Sequence, residues 1–324
     1  MMTSHKARVL VVGCGGTGTV AALNLERGGL AQVTAVLGSN YDVLTTSKVL
    51  DSVPDTARAA PEQQFDYIVC CTKDIPEDPP WPHDLIAPAV TPGRTVIVLF
   101  QNGMKIELPF FEHFPANVIL SGVSRFEAYE TSLGIVKQKQ NGLLCIGAFE
   151  SSDTNEEKKQ AEEATAKRFV DMYTAGGQTI CLYTPNVNYS RWKQLLYDAS
   201  FSPICAMEEK TLAQVLSKPQ IMEVLVLPSM REVMRVALAD GCFLPETLVQ
   251  QTVDLYPVDR KIKPNMLLDV QNGNLIEYEN TLGAVMRLGK LHSVATPVIS
   301  DLYQKCREYQ KKTLGAGDGA GTWW

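Results

Sequence analysis

Apolar runs and amphipathic stretches alternate along the first half of this 324-residue chain. Residues 9–12 form a short apolar run typical of a buried parallel strand, and residues 19–25 have the spacing of a helix. The same patterns predict an amphipathic helix at 156–175 and further strands at 33–37, 65–71, 94–100, 117–120 and 178–182. Strands that alternate with helices predict an α/β fold with a doubly wound parallel sheet.

Segments 134–137 and 142–147 predict a hairpin at one edge of the sheet. The hydrophobic pattern changes further along the chain. After residues 184–188, helical spacing dominates, with helices predicted at 192–207, 211–225, 228–240, 245–253, 279–292 and from 297 to about 311. We therefore predict a first domain at 1–185, an all-helical domain at 186–313 and a flexible glycine-rich tail at 314–324.

Glycines join the first predicted strand to the first predicted helix in the spacing G-x-G-x-x-G. The first glycine of such a turn allows a tight bend, the second lets a ligand approach the backbone, and the third lets helix and strand pack closely. The N–H groups at the start of the helix then face an anion. A glycine-rich turn without a ligand is the alternative. The spacing favours a Rossmann-like domain at 1–185 in which the pyrophosphate of a dinucleotide is bound by Gly13, Gly15, Gly16, Thr17 and Gly18.

Composition and charge narrow the classes of partner. The net charge of −6 argues against nucleic acid, and no apolar run reaches the length that spans a bilayer. No signal peptide is apparent, and the eight cysteines lie mostly in apolar runs without metal-ligand spacing. We therefore expect reduced cysteines, no metal, no membrane partner and a cytoplasmic location.

Polar residues follow the predicted strands at the sheet edge where open α/β folds bind ligands. Gln101 and Asn102 end one strand, and their amides can bind a carbonyl, a carboxylate or a ribose hydroxyl. Lys73 follows another strand, and Glu277 lies near the start of a helical stretch. The alternatives are an Asn-Gly turn without a ligand, a solvated lysine and a carboxylate that only favours a helix N-terminus.

Several short motifs lie in one order along nearly the whole chain. They are the glycine turn, segments 39–42, 71–74, 98–103 and 120–125, Arg191 with Trp192, segments 203–206 and 266–269, Glu277, and Thr296 with Pro297. In this order they resemble the ketopantoate reductase family, most closely its fungal-type members. The resemblance implies a Rossmann domain, a helical domain and an active site in the cleft between them. It also implies NADPH as hydride donor, a 2-oxo acid as typical substrate and a homodimer formed through the helical domain.

The chain departs from the family pattern at the expected active site. Where the family has the lysine that protonates the substrate carbonyl, this chain has Gln194, which cannot deliver a proton at neutral pH. Asp198 and Ser202 replace two asparagines, and Asn265 replaces a serine that helps to hold the substrate. Gly38 replaces the arginine that grips the 2′-phosphate of NADPH. The neighbouring residues that could still bind phosphate or ribose are Ser39 and Asn40.

We therefore predict a reductase that acts on a non-standard carbonyl or imine substrate, in specialised metabolism, with NADP as the expected cofactor. The catalytic candidates are Gln194, Asp198, Ser202, Glu277, Lys73 and Asn265. We also expect Gln101, Asn102 and Glu277 to contact the cofactor. The proton would come from Asp198, Lys73 or Glu277, because burial can raise a carboxyl pKa to near neutrality. One alternative is a non-redox enzyme that performs a cyclisation, isomerisation, dehydration or pericyclic step. The other is a nucleotide-sensing protein without catalysis.

Overall fold

An eight-stranded sheet forms the first part of the molecule. A computed structural model describes residues 6–38, 48–125, 128–132, 134–138, 142–149, 155–259 and 262–316. The strands of the sheet are β1 (Ala7–Val12), β2 (Ala31–Val36), β3 (Val49–Leu50), β4 (Tyr67–Cys70), β5 (Val96–Leu99), β6 (Ile119–Arg125), β9 (Leu143–Ala148) and β10 (Ile180–Tyr183). They lie side by side in the order β10-β9-β6-β5-β4-β1-β2-β3. A separate two-stranded sheet contains β7 (Ala128–Ser132) and β8 (Ile135–Gln138).

Apolar side chains cover both faces of the central strands, as the continuous apolar run at β1 predicts. On one face, Val9 and Val11 pack with the helices α1 (Gly16–Arg27) and α4 (Glu156–Thr174). On the other face, Leu10 and Val12 lie in a core with α2 (Pro82–Ile86) and α3 (Leu108–His113). A 3₁₀ turn, Ala87–Ala89, follows α2. The predicted doubly wound α/β domain is therefore confirmed.

The predicted edge hairpin is wrong in its pairing. β8 pairs antiparallel with β7, whereas β9 pairs antiparallel with β6 and parallel with β10. The sheet is therefore mixed rather than parallel throughout. An alternating apolar pattern specifies a strand but not its neighbour, which is set by the packing of the whole sheet.

Helices form the second part of the chain, as predicted. They are α5 (Val187–Leu196), α6 (Ser202–Met207), α7 (Leu212–Leu216), α8 (Pro219–Ile221), α9 (Leu227–Ala239), α10 (Thr247–Asp254), α11 (Asn265–Gln271), α12 (Ala284–Leu291) and α13 (Pro297–Ala316). π-Helical segments at Tyr197–Phe201, Met222–Val226 and Glu279–Gly283 lead into α6, α9 and α12. The apolar pattern did not predict α11, and it joined α7 and α8 into one helix.

The end of the chain differs from the predicted tail at its first residues. α13 continues to Ala316, so the tail predicted from residue 314 begins inside a helix. Extending an existing helix fixes only one residue for each added hydrogen bond, which offsets the low helix propensity of Gly315. The terminal Trp323 and Trp324 lie outside the described residues.

The eight cysteines are unpaired thiols. Burial raises the pKa of four of them, Cys14, Cys181, Cys205 and Cys306, to about 12. These groups therefore stay protonated near neutral pH and serve as packing residues. Across the described part of the chain, every helix is too short or too polar to cross a bilayer.

Candidate active site

The glycine turn has the geometry of an anion cradle. Gly13 has φ +87°, and a Cβ there would lie 2.7 Å from the Thr72 backbone N. A Cβ at Gly18 would lie 2.0 Å from the Gly13 carbonyl oxygen, so α1 packs directly against the turn. A Cβ at Gly15, in contrast, would meet no described atom within 4 Å. Gly15 caps α1 without a side chain, so the first helical N–H groups have no side-chain cap from it. The cradle therefore fits a pyrophosphate.

A tight turn after β5 forms the floor of the cleft between the two domains. Gly103 has φ +111°, and a Cβ there would lie 2.5 Å from the Asn280 carbonyl oxygen. The same carbonyl accepts a hydrogen bond from the Met104 N–H at 2.9 Å. Only glycine therefore permits this contact between the domains. Gln101, just before the turn, is buried, and its Oε1 has no partner among the described residues.

A small cavity lies between this turn and the first helix of the helical domain. Its lining comes from the turn after β5 and from β6 on one side, and from α5 with the following π-helical turn on the other. The lining residues are Gln101, Asn102, Gly103, Gly122, Val123, Arg191, Gln194, Leu195 and Asp198. The structure therefore brings together four of the residues singled out in the sequence: Gln101, Asn102, Gln194 and Asp198.

Gln194 and Asp198 lie one turn apart and are hydrogen-bonded to each other. Gln194 Nε2 donates to Asp198 Oδ1 at 3.2 Å, and Gln194 Oε1 accepts from Arg125 Nε at 3.1 Å. Arg125 thus fixes which end of the amide faces the carboxyl group. Lys193, the next residue along the helix, is half-buried and interacts electrostatically with Arg125 and Cys145, and it is not among the cavity-lining residues.

The carboxyl group of Asp198 is buried, and among the described residues only one of its two oxygens has a hydrogen-bond partner. Burial raises its pKa from 3.8 to about 7, against the opposing effects of the Gln194 hydrogen bond and of the Arg125 and Arg191 charges. Its Oδ2 has no hydrogen-bond partner among the described residues. Near neutral pH this residue, which lines the cavity, is therefore protonated in a large share of the molecules.

Arg191 ties the helical domain to the sheet. Its Nε lies 2.6 Å from Glu107 Oε1 and donates to Ser121 Oγ at 2.7 Å. Its Nη1 donates to the Gln101 and Gly103 carbonyls at 3.1 and 3.0 Å. Nη2 has no partner in the described structure, although Arg191 is only 3% exposed. A buried guanidinium nitrogen that lacks a partner can donate a hydrogen bond to an anionic group.

A second polar cluster lies on the other side of the turn after β5. Lys73 Nζ is 2.6 Å from Asp269 Oδ1, and Glu277 Oε1 accepts the Asp74 N–H at 3.0 Å. Burial raises the pKa of Glu277 to about 7, opposed mainly by the charge of Lys73. Asn280 Nδ2 donates to Asp74 Oδ2 at 2.7 Å. This cluster can bind hydroxyl groups and hold a proton, and it contains the predicted residues Lys73 and Glu277.

Other predicted residues are placed differently. Ser202 is buried at the start of α6, directly after the π-helical turn, and does not line the cavity. Asn265 is exposed at the start of α11 and is also absent from the cavity lining, so the structure does not bring it to the cavity. Ser39 and Asn40 lie outside the described residues.

Sequence reasoning missed the roles of two arginines. Arg191 belonged to a recognised motif but carried no assigned function. Arg125 lies at the end of β6, which was predicted to stop at residue 120, so its place above the cleft was not anticipated. Continuing the strand through residues 121–125 would have brought Arg125 to the carboxyl-end edge of the sheet.

The family model described as ketopantoate reductase PanE/ApbA matches residues 9–151, and the model of its C-terminal domain matches residues 186–310. The chain belongs to the ketopantoate reductase family. An uncharacterized protein of Saccharomyces cerevisiae is 31% identical over 92% of both chains.

Solved structures share the fold at lower identity. A D-mandelate dehydrogenase solved with NADH and anilino(oxo)acetate has a TM-score of 0.79 at 18% identity, over 95% of this chain and 99% of that one. A ketopantoate reductase of Staphylococcus aureus, described as dimeric, has a TM-score of 0.71 at 21% identity, over 94% and 99%. The two-domain architecture of the family is thus present throughout the chain, and the comparisons do not favour a non-redox activity.

Proposed function

We propose that this protein is a nicotinamide-dependent reductase that takes its proton from Asp198 rather than from a lysine. The observation that carries the proposal is the buried carboxyl group of Asp198, a residue that lines the cavity between the domains and whose Oδ2 has no hydrogen-bond partner among the described residues. Its pKa of about 7 keeps a large share of the group protonated near neutral pH. Gln194, at the position where the family has its lysine, orients this carboxyl group and does not itself donate the proton.

The cofactor would be held by the glycine cradle of Gly13, Gly15 and Gly18, with the start of α1 facing its pyrophosphate. When bound, a dihydronicotinamide supplies the hydride for reduction of a carbonyl or imine. The D-mandelate dehydrogenase with this fold binds NADH. For the present chain we propose NADPH, as the family resemblance implies, although Gly38 offers no cation for its 2′-phosphate.

The substrate would carry a carboxylate next to the reducible carbon. Arg191 lines the cavity with Asp198, and its Nη2 is unpartnered in the described structure. It can therefore bind an anionic group while Asp198 protonates the neighbouring oxygen or nitrogen. Because Gln194 and Asp198 replace family residues and both line the cavity, we propose that the preferred substrate is not ketopantoate and belongs to specialised metabolism.

We also propose a cytoplasmic homodimer. The Staphylococcus aureus relative is dimeric, and the unpaired cysteines suit a reducing compartment. Sedimentation at micromolar protein concentration would distinguish a dimer from a monomer.

Cofactor binding is tested with a pair of glycine variants. Gly15 has φ −69° and no neighbour within 4 Å, so Gly15→Ala should fold normally but place its methyl group where the pyrophosphate binds. We expect its Kd for NADPH, measured by nucleotide fluorescence, to rise about tenfold or more. Gly315→Ala, also with open space around it, is the matched control and should bind as the wild type does. Failure of the wild type to bind NADPH or NADH at millimolar concentration would rule out the proposed reductase.

Proton donation is tested by following dihydronicotinamide oxidation with a panel of 2-oxo acids that includes ketopantoate, and with their esters. Asp198→Asn should lower kcat about 100-fold or more without changing the Kd for the cofactor. Esters should react far more slowly than acids, because they lack the anion for Arg191. Unchanged kcat in Asp198→Asn would assign the proton to another group.

A further inference from the structure

Two histidines face each other on the side of the sheet remote from α1 and α4. His83 lies in α2 and His113 ends α3, and their ring centroids are 4.1 Å apart at an interplanar angle of 42°. They are two of only four histidines in the chain. Both helices pack on the same core through Ile86 and Phe110, which holds the two rings next to each other.

A carboxylate completes the group. Asp84 Oδ1 lies 3.8 Å from His83 Nε2 and 3.9 Å from His113 Nε2, and the three donor atoms lie within 4.8 Å of one another. Zinc takes such ligands at about 2.0–2.2 Å, which for tetrahedral geometry separates the donor atoms by roughly 3.4 Å. His113 and Asp84 are about half exposed, so small rotations of these two side chains close the remaining distance.

Hydrogen bonding prepares one of the imidazoles for coordination. His113 Nδ1 donates to the Pro109 carbonyl oxygen at 2.8 Å, so Nε2, which lies 3.9 Å from Asp84 Oδ1, is the ring nitrogen available to a metal. Metal-ligating histidines almost always donate their other ring nitrogen in this way. The ring of His83 packs against those of Phe110 and Trp81, which holds it beside His113.

We propose that His83, Asp84 and His113 bind one divalent transition-metal ion of the zinc class, with water completing its coordination. The ion would link α2 to α3. α2 follows the segment with Lys73 and Asp74, and α3 follows the turn with Gln101 and Gly103, so the ion would brace the two segments that line the cleft. This proposal is independent of the proposed reductase activity.

The test uses chelator-treated full-length protein without a histidine tag. Titration calorimetry with ZnCl₂ should give one equivalent bound with a Kd of about 10 µM or lower. Co²⁺ should give a visible absorption band at the same stoichiometry. His113→Gln and Asp84→Asn are the informative variants, because both side chains are exposed enough to be replaced without loss of folding. Each should raise the Kd for Zn²⁺ about tenfold or more.

The matched control is His292→Gln, which removes a histidine that pairs with Asp240 at 3.3 Å elsewhere in the fold. It should bind Zn²⁺ as the wild type does. The proposal is wrong if the wild type binds no Zn²⁺ at millimolar concentration. It is also wrong if His113→Gln retains the wild-type Kd and stoichiometry.

Discussion

Replacing Asp198 with asparagine should change how the stability of the protein depends on pH. The pKa of this carboxyl group is 3.8 in its ordinary state and about 7 in the folded protein, where burial disfavours its charged form. Between these values the folded protein holds one more proton than the unfolded chain, so the free energy of unfolding falls as pH rises. The contribution is complete below about pH 4 and is gone above about pH 7. Integration from about pH 5 to about pH 8 gives a loss of about 2.5 kcal/mol.

Asparagine has nearly the same shape and does not titrate, so Asp198→Asn removes this contribution. Urea unfolding of both proteins at the two pH values measures it as the change in their stability difference. Glu277 titrates in the same range but is present in both proteins, and it therefore cancels. The comparison can be repeated without Glu277. The pH-dependent loss of stability in Glu277→Gln should exceed that in the Glu277→Gln, Asp198→Asn double variant by about 2.5 kcal/mol, to within a factor of two. If wild type and Asp198→Asn lose stability in parallel, Asp198 is ionised in the folded protein and cannot be the proton donor.

Two further variants test the surroundings of the cavity. Glu107→Gln should lower the free energy of unfolding by about 3 kcal/mol or more, because it leaves the buried Arg191 without its counter-charge. The exposed pair of Lys305 and Asp301 is the control, and Asp301→Asn should change stability by less than about 1 kcal/mol in the same urea titration. Gln194→Lys should lower the pKa of Asp198 by placing a cation beside it. The pH-dependent stability loss would then shift to lower pH, and an unshifted profile would contradict the observed contact at 3.2 Å.

Local signals in the sequence were sufficient for the elements that rely on local chemistry. β1 and α1 are defined by an apolar run, a glycine turn and a helical pattern, and all three are local. The helices α2 and α3 have only five and six residues, with Pro82 and Pro109 near their starts, so they show too few turns for a period to appear. The neighbours of β9 depend on how the whole sheet assembles, which no local pattern encodes.

The residues of the candidate site likewise fall into those that local sequence signals identified and those that depended on the tertiary structure. Spacing from Trp192 and Pro203 places Gln194 and Asp198 four residues apart on one helical face, and the structure places both at the cavity. The position of Asn265 relative to the cavity depended on the orientation of α11, a helix that the apolar pattern did not predict. Its side chain is exposed. The role of Arg125 required knowing how far β6 extends, and the raised pKa of Asp198 required knowing its burial.

The bonds of Arg191 also limit how the molecule can open. Among the described residues, its hydrogen-bonding and ionic partners are Gln101, Gly103, Glu107 and Ser121, and they belong to the other domain. A hinge rotation that widened the cleft would have to break these contacts together and hydrate the guanidinium. Binding of a ligand that widens the cleft is therefore coupled to rearrangement of the Arg191 contacts.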